Sequence, residues 1–195
     1  MQESLKKGEV TTLPGVNTIA DGTAVKTPGK NIFPYIQKNL DDIITVPDEE
    51  LVVAFLDIVE NHKMVVENSG LLTVAALKHL NVQNQRVVSI LSGGNMDIIT
   101  MSSVVQQGLI FRDRIFTVSV LLPDKPGMLS KVADEIAKEN GNVIKLEHNQ
   151  FVSINRSAAV ELRITLETFG TEHKNQIIKA LEEKGYQPKQ VRTNI

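Results

Sequence analysis

The stretch IFTVSVLLPDKPGMLSKVADEIAKENGNVIKLEH, residues 115–148, decides the fold of the second half of this chain. Its first eight residues alternate between apolar and other side chains, which predicts a strand packed on one side. The apolar face of that strand consists of Phe116, Val118, Val120 and Leu122. Pro123, Pro126 and Gly127 then end the strand, because proline donates no ladder hydrogen bond and glycine readily takes a positive φ. Apolar residues at helical spacing follow and stop at Gly141, which indicates a helix.

Two more strands are predicted after this helix. Residues 142–151 form one strand, and residues 158–168 form another, in which apolar and polar side chains alternate from residue 160 to residue 167. Residues 155–157, with the sequence NRS, are interpreted as the turn between them. The first of these strands is expected to present Ile144, Leu146 and His148 on one face.

A second helix and a last short strand complete this half. The helix ends at Gly185, and residues 186–192 supply the strand. The order over residues 115–195 is therefore β-α-β-β-α-β, which is typical of an α+β ferredoxin-like domain. One-sided alternation in the strands predicts helices on one face of the sheet and leaves the other face available to a partner.

The first half is predicted to be α/β. A helix is expected over residues 32–40, a short strand over 43–46, and a helix after Pro47, whose acidic first turn suits the helix dipole. A further helix is expected near residues 69–80. The sequence RVVSILS at 86–92 is apolar without alternation, which predicts a fully buried strand.

A helix is expected to follow that strand and to end near Gly108. Residues 109–114, LIFRDR, are interpreted as the connection between the halves. We therefore predict a domain over 1–108, a linker over 109–114 and a domain over 115–195.

The composition is that of an ordinary globular protein. Apolar residues make up 42% of the 195 residues, and 21 basic against 23 acidic side chains give a net charge of −2. This balance gives no electrostatic reason to expect nucleic acid or an anionic membrane as a partner. No apolar run approaches the ~20 residues that span a bilayer, and the polar N-terminus lacks a signal-peptide core. We expect a cytoplasmic protein.

The junction between the 86–92 strand and the following helix is the first candidate site. Ser92, Gly93, Gly94 and Asn95 lie where ligands bind in open α/β sheets, beyond the carboxyl end of a strand. An isolated SGGN is also compatible with a tight turn in which Ser and Asn act as caps. Glu67, in VVENSG, either faces a ligand or is a charge beside a helix start.

The loop after the 115–122 strand is the second candidate site. Backbone N–H groups at the start of its helix could hold a carboxylate, although a plain Pro-Gly turn is the alternative. The residues concerned are Asp124, Lys125, Pro126, Gly127, Met128 and Leu129. Asn142 is expected on the neighbouring strand, near enough to share a ligand. The four dispersed histidines have no metal-ligand spacing and are interpreted as surface or edge residues; no metal site is predicted.

Five motifs in order resemble a known family of enzymes. They are NTIADGTAV (17–25), DDIITV (41–46), VVENSG (65–70), VVSILSGGNMD (87–97) and LLPDKPGMLSKVADEIAKENGNVIKLEH (121–148). The first four are similar to the C-terminal part of the catalytic domain of threonine dehydratases, which are fold-type-II pyridoxal-phosphate enzymes. The last resembles an ACT domain, an amino-acid-sensing module. The nearest likeness is to the catabolic type with one ACT domain.

The resemblance implies a function and roles for these residues. The family deaminates threonine, or serine, to 2-oxobutanoate, or pyruvate, and ammonia with pyridoxal 5'-phosphate, and the reaction belongs to amino-acid metabolism, including isoleucine biosynthesis. Ser92 corresponds to the serine that hydrogen-bonds the pyridine nitrogen, and Glu67 to a glutamate near the ring. The ACT resemblance implies an amino-acid effector at Asp124–Leu129 and Asn142, and a homodimer or homotetramer.

Two family motifs do not occur in the chain. The Schiff-base lysine belongs to a motif resembling S-F-K-x-R-G, and the phosphate is held by a loop resembling S-G-G-G-N; neither is present. We therefore interpret the chain as the C-terminal part of the enzyme and expect no catalysis from it alone. The alternatives are a stand-alone regulatory protein that binds an amino acid, and a purely structural dimerisation domain.

Overall fold

A computed structural model describes residues 1–150 and 160–194 of the chain. The chain forms two compact units, Met1–Val105 and Gln106–Ile195. The predicted turn at 155–157, and the ends of the predicted strands at residues 151 and 158–159, lie outside the described residues. No helix in the described ranges is long and apolar enough to cross a membrane.

The first unit is built from helices and short helical turns. Its α-helices are α1 (Gln2–Lys7), α2 (Phe33–Asn39), α3 (Asp48–His62) and α4 (Leu72–Ala75), and α5 (Ile98–Phe111) begins in this unit and extends past its last residue. Single 3₁₀ turns span Asp21–Thr23, Asn68–Leu71 and Ala76–His79.

Helix α3 carries the core of this unit. Its first turn holds three acidic residues, which the positive end of the helix dipole favours. One face of the helix is buried against Val66, Leu71 and Ala75. Its buried residues are Leu51, Val52, Ala54, Phe55, Leu56 and Ile58. Helix α3 confirms the helix predicted after Pro47, and α2 confirms the one predicted over residues 32–40.

Both strands predicted in this unit are wrong. Residues 43–46 and 86–92 form no strand, and Val88 and Ile90 are exposed rather than buried. The physical reason is that a strand requires a hydrogen-bonded neighbour, and no residue of Met1–Val105 forms a strand.

Two predicted helices have different bounds. The helix expected over 69–80 is divided into 3₁₀, α and 3₁₀ turns, and Gly70 within it is a residue that disfavours continuous helix by about 1 kcal/mol relative to alanine. Helix α5 continues through Gly108, because one glycine is not enough to end a capped helix. It ends before Asp113, whose φ is 53°. Residues 109–111 of the predicted linker are consequently helical.

In its described residues, the second unit contains a four-stranded antiparallel sheet and two helices in addition to the end of α5. The strands are β1 (Ile115–Leu122), β2 (Asn142–Asn149), β3 (Val160–Glu167) and β4 (Lys189–Val191), and the helices are α6 (Met128–Lys138) and α7 (Thr171–Glu183). The strand order is β2-β3-β1-β4. This is the predicted ferredoxin-like arrangement, which is confirmed.

The core of the second unit lies between the sheet and the two helices. The predicted apolar face of β1 is entirely buried there, together with that of β3 and with Val132, Ile136, Ile177 and Leu181 of the helices. Helix α6 ends shortly before Gly141, and Asn140, with a φ of 61°, takes the left-handed conformation. The Gly141 N–H donates to the carbonyl of Ile136 at 2.9 Å. A Cβ at Gly141 would lie 2.7 Å from Ile136 Cγ2 and 2.9 Å from Ile177 Cδ1, so glycine permits the close approach of the chain to α6 and α7.

Strand β2 differs from its predicted pattern. Among the described residues it is an edge strand that pairs only with β3, and all of its residues are exposed. The pairing shifts between Val143 and Lys145. Because this irregularity inserts one residue, Val143 replaces Ile144 on the face that Leu146 and His148 share.

Candidate functional site

The Ser92–Asn95 turn is held against Glu67. Gly93 has a φ of +76°, and its carbonyl accepts a hydrogen bond from the Glu67 N–H at 3.3 Å. A Cβ at position 93 would lie 2.2 Å from the carboxyl carbon of Glu67. Glycine is therefore required here both by the backbone conformation and by the position of the carboxylate.

The Ser92 backbone is packed in the same way against Gly70. A Cβ at Gly70 would lie 1.6 Å from the Ser92 carbonyl oxygen. Residue 92 itself is exposed. Glu67 and Gly70 of the VVENSG motif thus fix the turn that carries the predicted cofactor residues. The VVENSG and SGGN motifs, separated by about 20 positions of sequence, are in contact in the structure.

A cavity of about 280 Å³ lies beside this turn. Glu67 and Asn95 line it, whereas Ser92, Gly93 and Gly94 are not among its lining residues. The remaining lining residues, which the sequence had not singled out, are Thr18, Ile19, Asp21, Asn68, Met96, Asp97 and Thr100. Among the described residues, three carboxylates and no lysine or arginine line the cavity, so its chemistry suits a neutral or cationic group better than a phosphate.

The wall of this cavity at Thr18 and Ile19 is positioned by Asp48 and Asn68. The Asp48 carboxylate, at the start of α3, accepts hydrogen bonds from the Thr18 hydroxyl at 2.6 Å and from the Ile19 N–H at 3.0 Å. The Asn68 side-chain amide donates to the Ile19 carbonyl at 3.1 Å. The acidic first turn of α3 was the only sequence signal for this role, and it was interpreted as a dipole effect.

Asp97 lines the same cavity and caps helix α5. Its carboxylate accepts hydrogen bonds from the N–H groups of Ile99 and Thr100 at 2.9 and 3.0 Å, and from the Thr100 hydroxyl. The Thr100 hydroxyl is the main reason why the pKa of Asp97 is lowered, since it stabilises the charged form. The Asp97 carboxylate therefore serves as the N-terminal cap of α5.

A second cavity, of about 330 Å³, lies at the β1–α6 loop of the second unit. All six residues from Asp124 to Leu129, which the sequence predicts for the effector, line it. Leu122, Pro123, His148, Val160 and Leu162 complete the lining. The side chains of Leu122, Val160 and Leu162 are buried, whereas Asp124, Lys125 and His148 are exposed, so an apolar floor is combined with a charged rim.

The start of α6 in this cavity has no side-chain cap. Its N-cap is Gly127, with a φ of +86° and no side chain that could accept a hydrogen bond from the first helical N–H groups. The Met128 N–H donates to the Lys125 carbonyl at 3.3 Å, and the Lys131 N–H makes the first helical bond, to Gly127. The N–H groups of Leu129 and Ser130, for which no backbone partner is found within the described residues, are the ones that suit water or an anion. This geometry suits a carboxylate at the mouth of the cavity.

Asn142 does not line this cavity. It is the first residue of β2 and donates to the Glu167 carboxylate at 3.1 Å. His148, which does line the cavity, pairs with Leu162 at the other end of that strand. The expectation that Asn142 shares the site is wrong within one chain, because β3 lies between β1 and β2 and the Asn142 end points away from the loop.

One of the four histidines, His173, is not the surface or edge residue that the sequence predicts. His173 is buried, its Nδ1 accepts the Phe169 N–H at 3.1 Å, and its Nε2 is hydrogen-bonded to the Glu139 carbonyl at 2.5 Å. His79 pairs with Glu50 at 2.7 Å. Within residues 1–150 and 160–194, no group of three or more His, Asp or Glu is arranged to hold a metal ion.

Comparison with known proteins gives two family matches along the chain. Residues 1–93 match the family model of pyridoxal-phosphate dependent enzymes, and residues 116–185 match that of the ACT domain. The chain thus belongs to the pyridoxal-phosphate dependent enzymes in its first part and carries an ACT domain in its second.

Within that class, the chain is similar to the L-threonine ammonia-lyases, as its motifs predict. It is 38% identical to the L-threonine ammonia-lyase of Geobacter sulfurreducens over 185 residues, which are 94% of this chain and 46% of the relative. It is 32% identical to that of Thermotoga maritima over 188 residues, 96% of this chain and 47% of the relative. The chain therefore spans slightly less than half the length of these curated relatives.

A solved structure supports the fold of a part of the chain. The processed form of threonine deaminase isoform 2 from Solanum lycopersicum matches 54% of this chain and 32% of its own, with a TM-score of 0.51 and 28% sequence identity. The predicted fold class, a fold-type-II fragment followed by an ACT domain, is confirmed.

Proposed function

We propose that this chain is part of a threonine ammonia-lyase whose activity an amino acid regulates through the ACT domain. The observation that carries the proposal is that both parts occur in one chain, with 38% identity to an L-threonine ammonia-lyase over 185 residues. The reaction would convert threonine, or serine, to 2-oxobutanoate, or pyruvate, and ammonia. The cytoplasmic location expected from the sequence also remains a proposal.

The residues at the Ser92 turn fit one side of pyridoxal phosphate. When bound, this cofactor supplies an electron sink for a carbanion at the substrate α-carbon. The exposed Ser92 residue offers a hydroxyl that can hydrogen-bond an unprotonated pyridine nitrogen. The adjoining cavity lacks the cationic side chains that would hold the phosphate, so we assign the ring rather than the phosphate to these residues.

Ser92 would orient the cofactor ring and moderate the capacity of that ring to act as an electron sink. A neutral hydroxyl, unlike a carboxylate, does not hold the ring nitrogen protonated, which is compatible with β-elimination. Gly93 and Glu67 would keep the turn in place, because the Glu67 carboxylate fills the space beside Gly93.

A chimera tests the enzymatic proposal. The region of the Geobacter sulfurreducens enzyme that matches this chain is replaced by residues 1–195, and 2-oxobutanoate formation from L-threonine is measured. We expect activity in the chimera and a fall in kcat of about tenfold for Ser92→Ala, since one hydrogen bond contributes up to about 1.5 kcal/mol and about 1.4 kcal/mol corresponds to tenfold in rate. Ser102→Ala, at an exposed serine of α5, is the matched control. A folded chimera that binds pyridoxal phosphate but forms no 2-oxobutanoate contradicts the proposal.

The cavity at the β1–α6 loop is proposed to bind an aliphatic amino acid. The uncapped N–H groups after Gly127 would take its carboxylate, and the exposed carboxylate of Asp124 could pair with its ammonium group. The apolar floor formed by Leu122, Val160 and Leu162 suits a branched side chain such as that of isoleucine or valine.

A homodimer through β2 would complete this site. An edge strand leaves one row of backbone groups unpaired, and two copies of β2 can pair antiparallel about a two-fold axis. Centred pairing would place Asn142 of a second copy opposite Asn149, next to His148 and the cavity. This arrangement reconciles the predicted role of Asn142 with its distance from the cavity in one chain.

Calorimetry on the full chain tests the effector proposal. L-isoleucine, L-valine and L-threonine are titrated into the wild type and into Gly127→Ala, which strains a positive-φ position in the cavity wall. Gly185→Ala is the control, since Gly185 also has a positive φ with open space around it but lies outside the cavity. We expect binding to weaken only in Gly127→Ala. Absence of heat with every amino acid contradicts an effector role.

A further inference from the structure

The second unit has a further cavity, apart from the one at the β1–α6 loop. Its volume is about 390 Å³, and it is lined by the C-terminal half of α5 and by β4 with the residues that follow this strand. All of its lining residues belong to the second unit, and none of them lines the β1–α6 cavity. We call it the α5–β4 cavity.

Most side chains around the α5–β4 cavity carry hydrogen-bond donors. Four carboxamides and one guanidinium group line it, and they belong to Gln106, Gln107, Gln190, Asn194 and Arg192. Within the described ranges, no aspartate or glutamate lines this cavity, although the chain contains 23 acidic residues. The local charge is therefore positive in a chain whose net charge is −2.

These donors have no partner in the protein. In residues 1–150 and 160–194, the five side chains take part in no hydrogen bond or ion pair. Two other arginines of the second unit are engaged: Arg114 Nε donates to the Thr168 carbonyl at 3.0 Å, and Arg163 Nε lies 3.0 Å from the Glu161 carboxylate. Arg192 thus differs from these two arginines in being free to bind a ligand.

Regular secondary structure carries most of the lining. Gln106 and Ile110 are four residues apart on α5 and share one face of that helix. Gln190 and Val191 belong to β4, which is hydrogen-bonded to β1, and Arg192 follows directly. Ile110 and Val191 add an apolar part to the wall. Groups on such elements are held more precisely than groups on a long loop.

The chemistry of this lining suits an oxyanion on a polar molecule. A guanidinium group presents a planar fork of donors that matches the oxygens of a carboxylate or a phosphate. The carboxamide NH₂ groups can donate to further oxygens, and their carbonyls accept from hydroxyl or amino groups. The cavity volume lies within the range of about 300–1,000 Å³ that is usual for small-molecule sites.

We infer that the α5–β4 cavity is a second small-molecule site of the second unit, where Arg192 binds the carboxylate or phosphate group of a small polar metabolite. The carboxamides of Gln106, Gln107, Gln190 and Asn194 bind the rest of the polar surface of that molecule. The site is separate from the effector cavity at the β1–α6 loop, and the inference does not depend on the proposed enzymatic activity.

Titration of the full 195-residue chain with two probes tests this inference. Inorganic phosphate and 2-oxobutanoate, a carboxylate, are added separately at constant ionic strength, and binding is followed by calorimetry and by NMR of the side-chain amides. We expect saturable binding of at least one probe, with shifts at Gln106, Gln107, Gln190 and Asn194. The probe that binds more tightly identifies the class of oxyanion.

Arg192→Gln should weaken this binding about tenfold or more, because hydrogen bonds to a charged group are the strong ones. Lys189→Gln is the matched control: Lys189 is an exposed residue of the same strand, the substitution removes the same charge, and the residue does not line the cavity. Gly127→Ala, at the β1–α6 cavity, should also leave the binding unchanged. Circular dichroism establishes that each variant is folded.

Three results would overturn the inference. They are the absence of saturable binding with both probes, equal affinities of Arg192→Gln and Lys189→Gln, and shifts that map to the β1–α6 loop instead of the α5–β4 cavity. None of these measurements uses the lyase reaction, so an inactive chimera leaves the inference in place, and a chain that binds neither probe leaves the enzymatic proposal in place.

Discussion

The carboxylate of Glu67 occupies the space that a side chain at Gly93 would need. A Cβ there would lie 2.2 Å from the carboxyl carbon, and the Gly93 φ of +76° already disfavours any residue with a Cβ. Two motifs, VVENSG and SGGN, are thus joined by one close contact.

Gly93→Ala should destabilise the first unit, whereas Gly94→Ala should not. At Gly94 the nearest atom to a built Cβ is the Val65 carbonyl oxygen at 3.6 Å, an ordinary contact. We expect Gly93→Ala to lower the free energy of unfolding by about 2 kcal/mol, from a strained φ and the displaced carboxylate. Urea denaturation followed by circular dichroism measures both variants, and equal stabilities would contradict the steric explanation.

Thr100→Val should raise the pKa of Asp97 toward the ordinary value of 3.8. The Thr100 hydroxyl is the largest cause of the lowered pKa, and valine cannot donate. Because the folded-state pKa lies below the unfolded one, this cap stabilises the fold above about pH 3.8, and its contribution is lost as the pH falls through the folded pKa. NMR titration of the Asp97 carboxyl carbon checks the shift, with Thr27→Val, at an exposed threonine, as the variant that should leave it unchanged.

Asp113 and Lys174 should show measurable coupling. Their side chains are only 18% and 12% exposed and meet at 2.9 Å, which joins the end of α5 to the start of α7. A double-mutant cycle with Asp113→Asn and Lys174→Met is expected to give about 1 kcal/mol or more, since water screens the pair poorly. The same cycle at Lys179 and Glu183, an exposed pair at 3.7 Å, should give less than about 0.5 kcal/mol. Equal coupling energies would contradict the role of burial.

His173→Ala should destabilise the second unit far more than His62→Ala. The buried imidazole connects Phe169 and the last turn of α6 through two hydrogen bonds and stacks on the Phe169 ring with centroids 4.9 Å apart. Loss of these contacts leaves the Phe169 N–H and the Glu139 carbonyl without this partner, at a cost of about 2–3 kcal/mol. His62 is exposed, so its substitution should change little. Thermal unfolding of both variants gives the comparison.

Sequence periodicity predicts an element correctly where the segments that pack against that element lie in the same part of the chain. The alternation of Phe116, Val118 and Val120 correctly predicts β1, because the sheet and helices that bury it all lie within residues 115–195. The same reasoning failed at residues 86–92, whose apolar run predicts a buried strand. Strand formation depends on a neighbour in the sheet, and no strand of Met1–Val105 provides one.

Among the candidate site residues, consecutive ones are placed correctly by the sequence, whereas those that depend on distant segments are not. The run from Asp124 to Leu129 lines one cavity because its residues are consecutive and share one loop. Asn142 was misplaced, because the sequence gives the order of strands along the chain and not their order across the sheet. The contribution of Asp48 was interpreted only as a dipole effect, since its partners Thr18 and Ile19 lie about 30 positions away.

The amino-acid sequence by itself therefore determined the family, the ferredoxin-like order of elements and the two turns that carry the candidate sites, because these depend on local periodicity and on motifs of consecutive residues. Only the tertiary structure decided that Glu67 meets Gly93, that Asn142 and the cavity at the β1–α6 loop lie at opposite ends of β2, and that Val88 and Ile90 are exposed. Those relationships depend on which distant segments come into contact, and chain packing settles that contact through sterics and hydrogen-bond pairing.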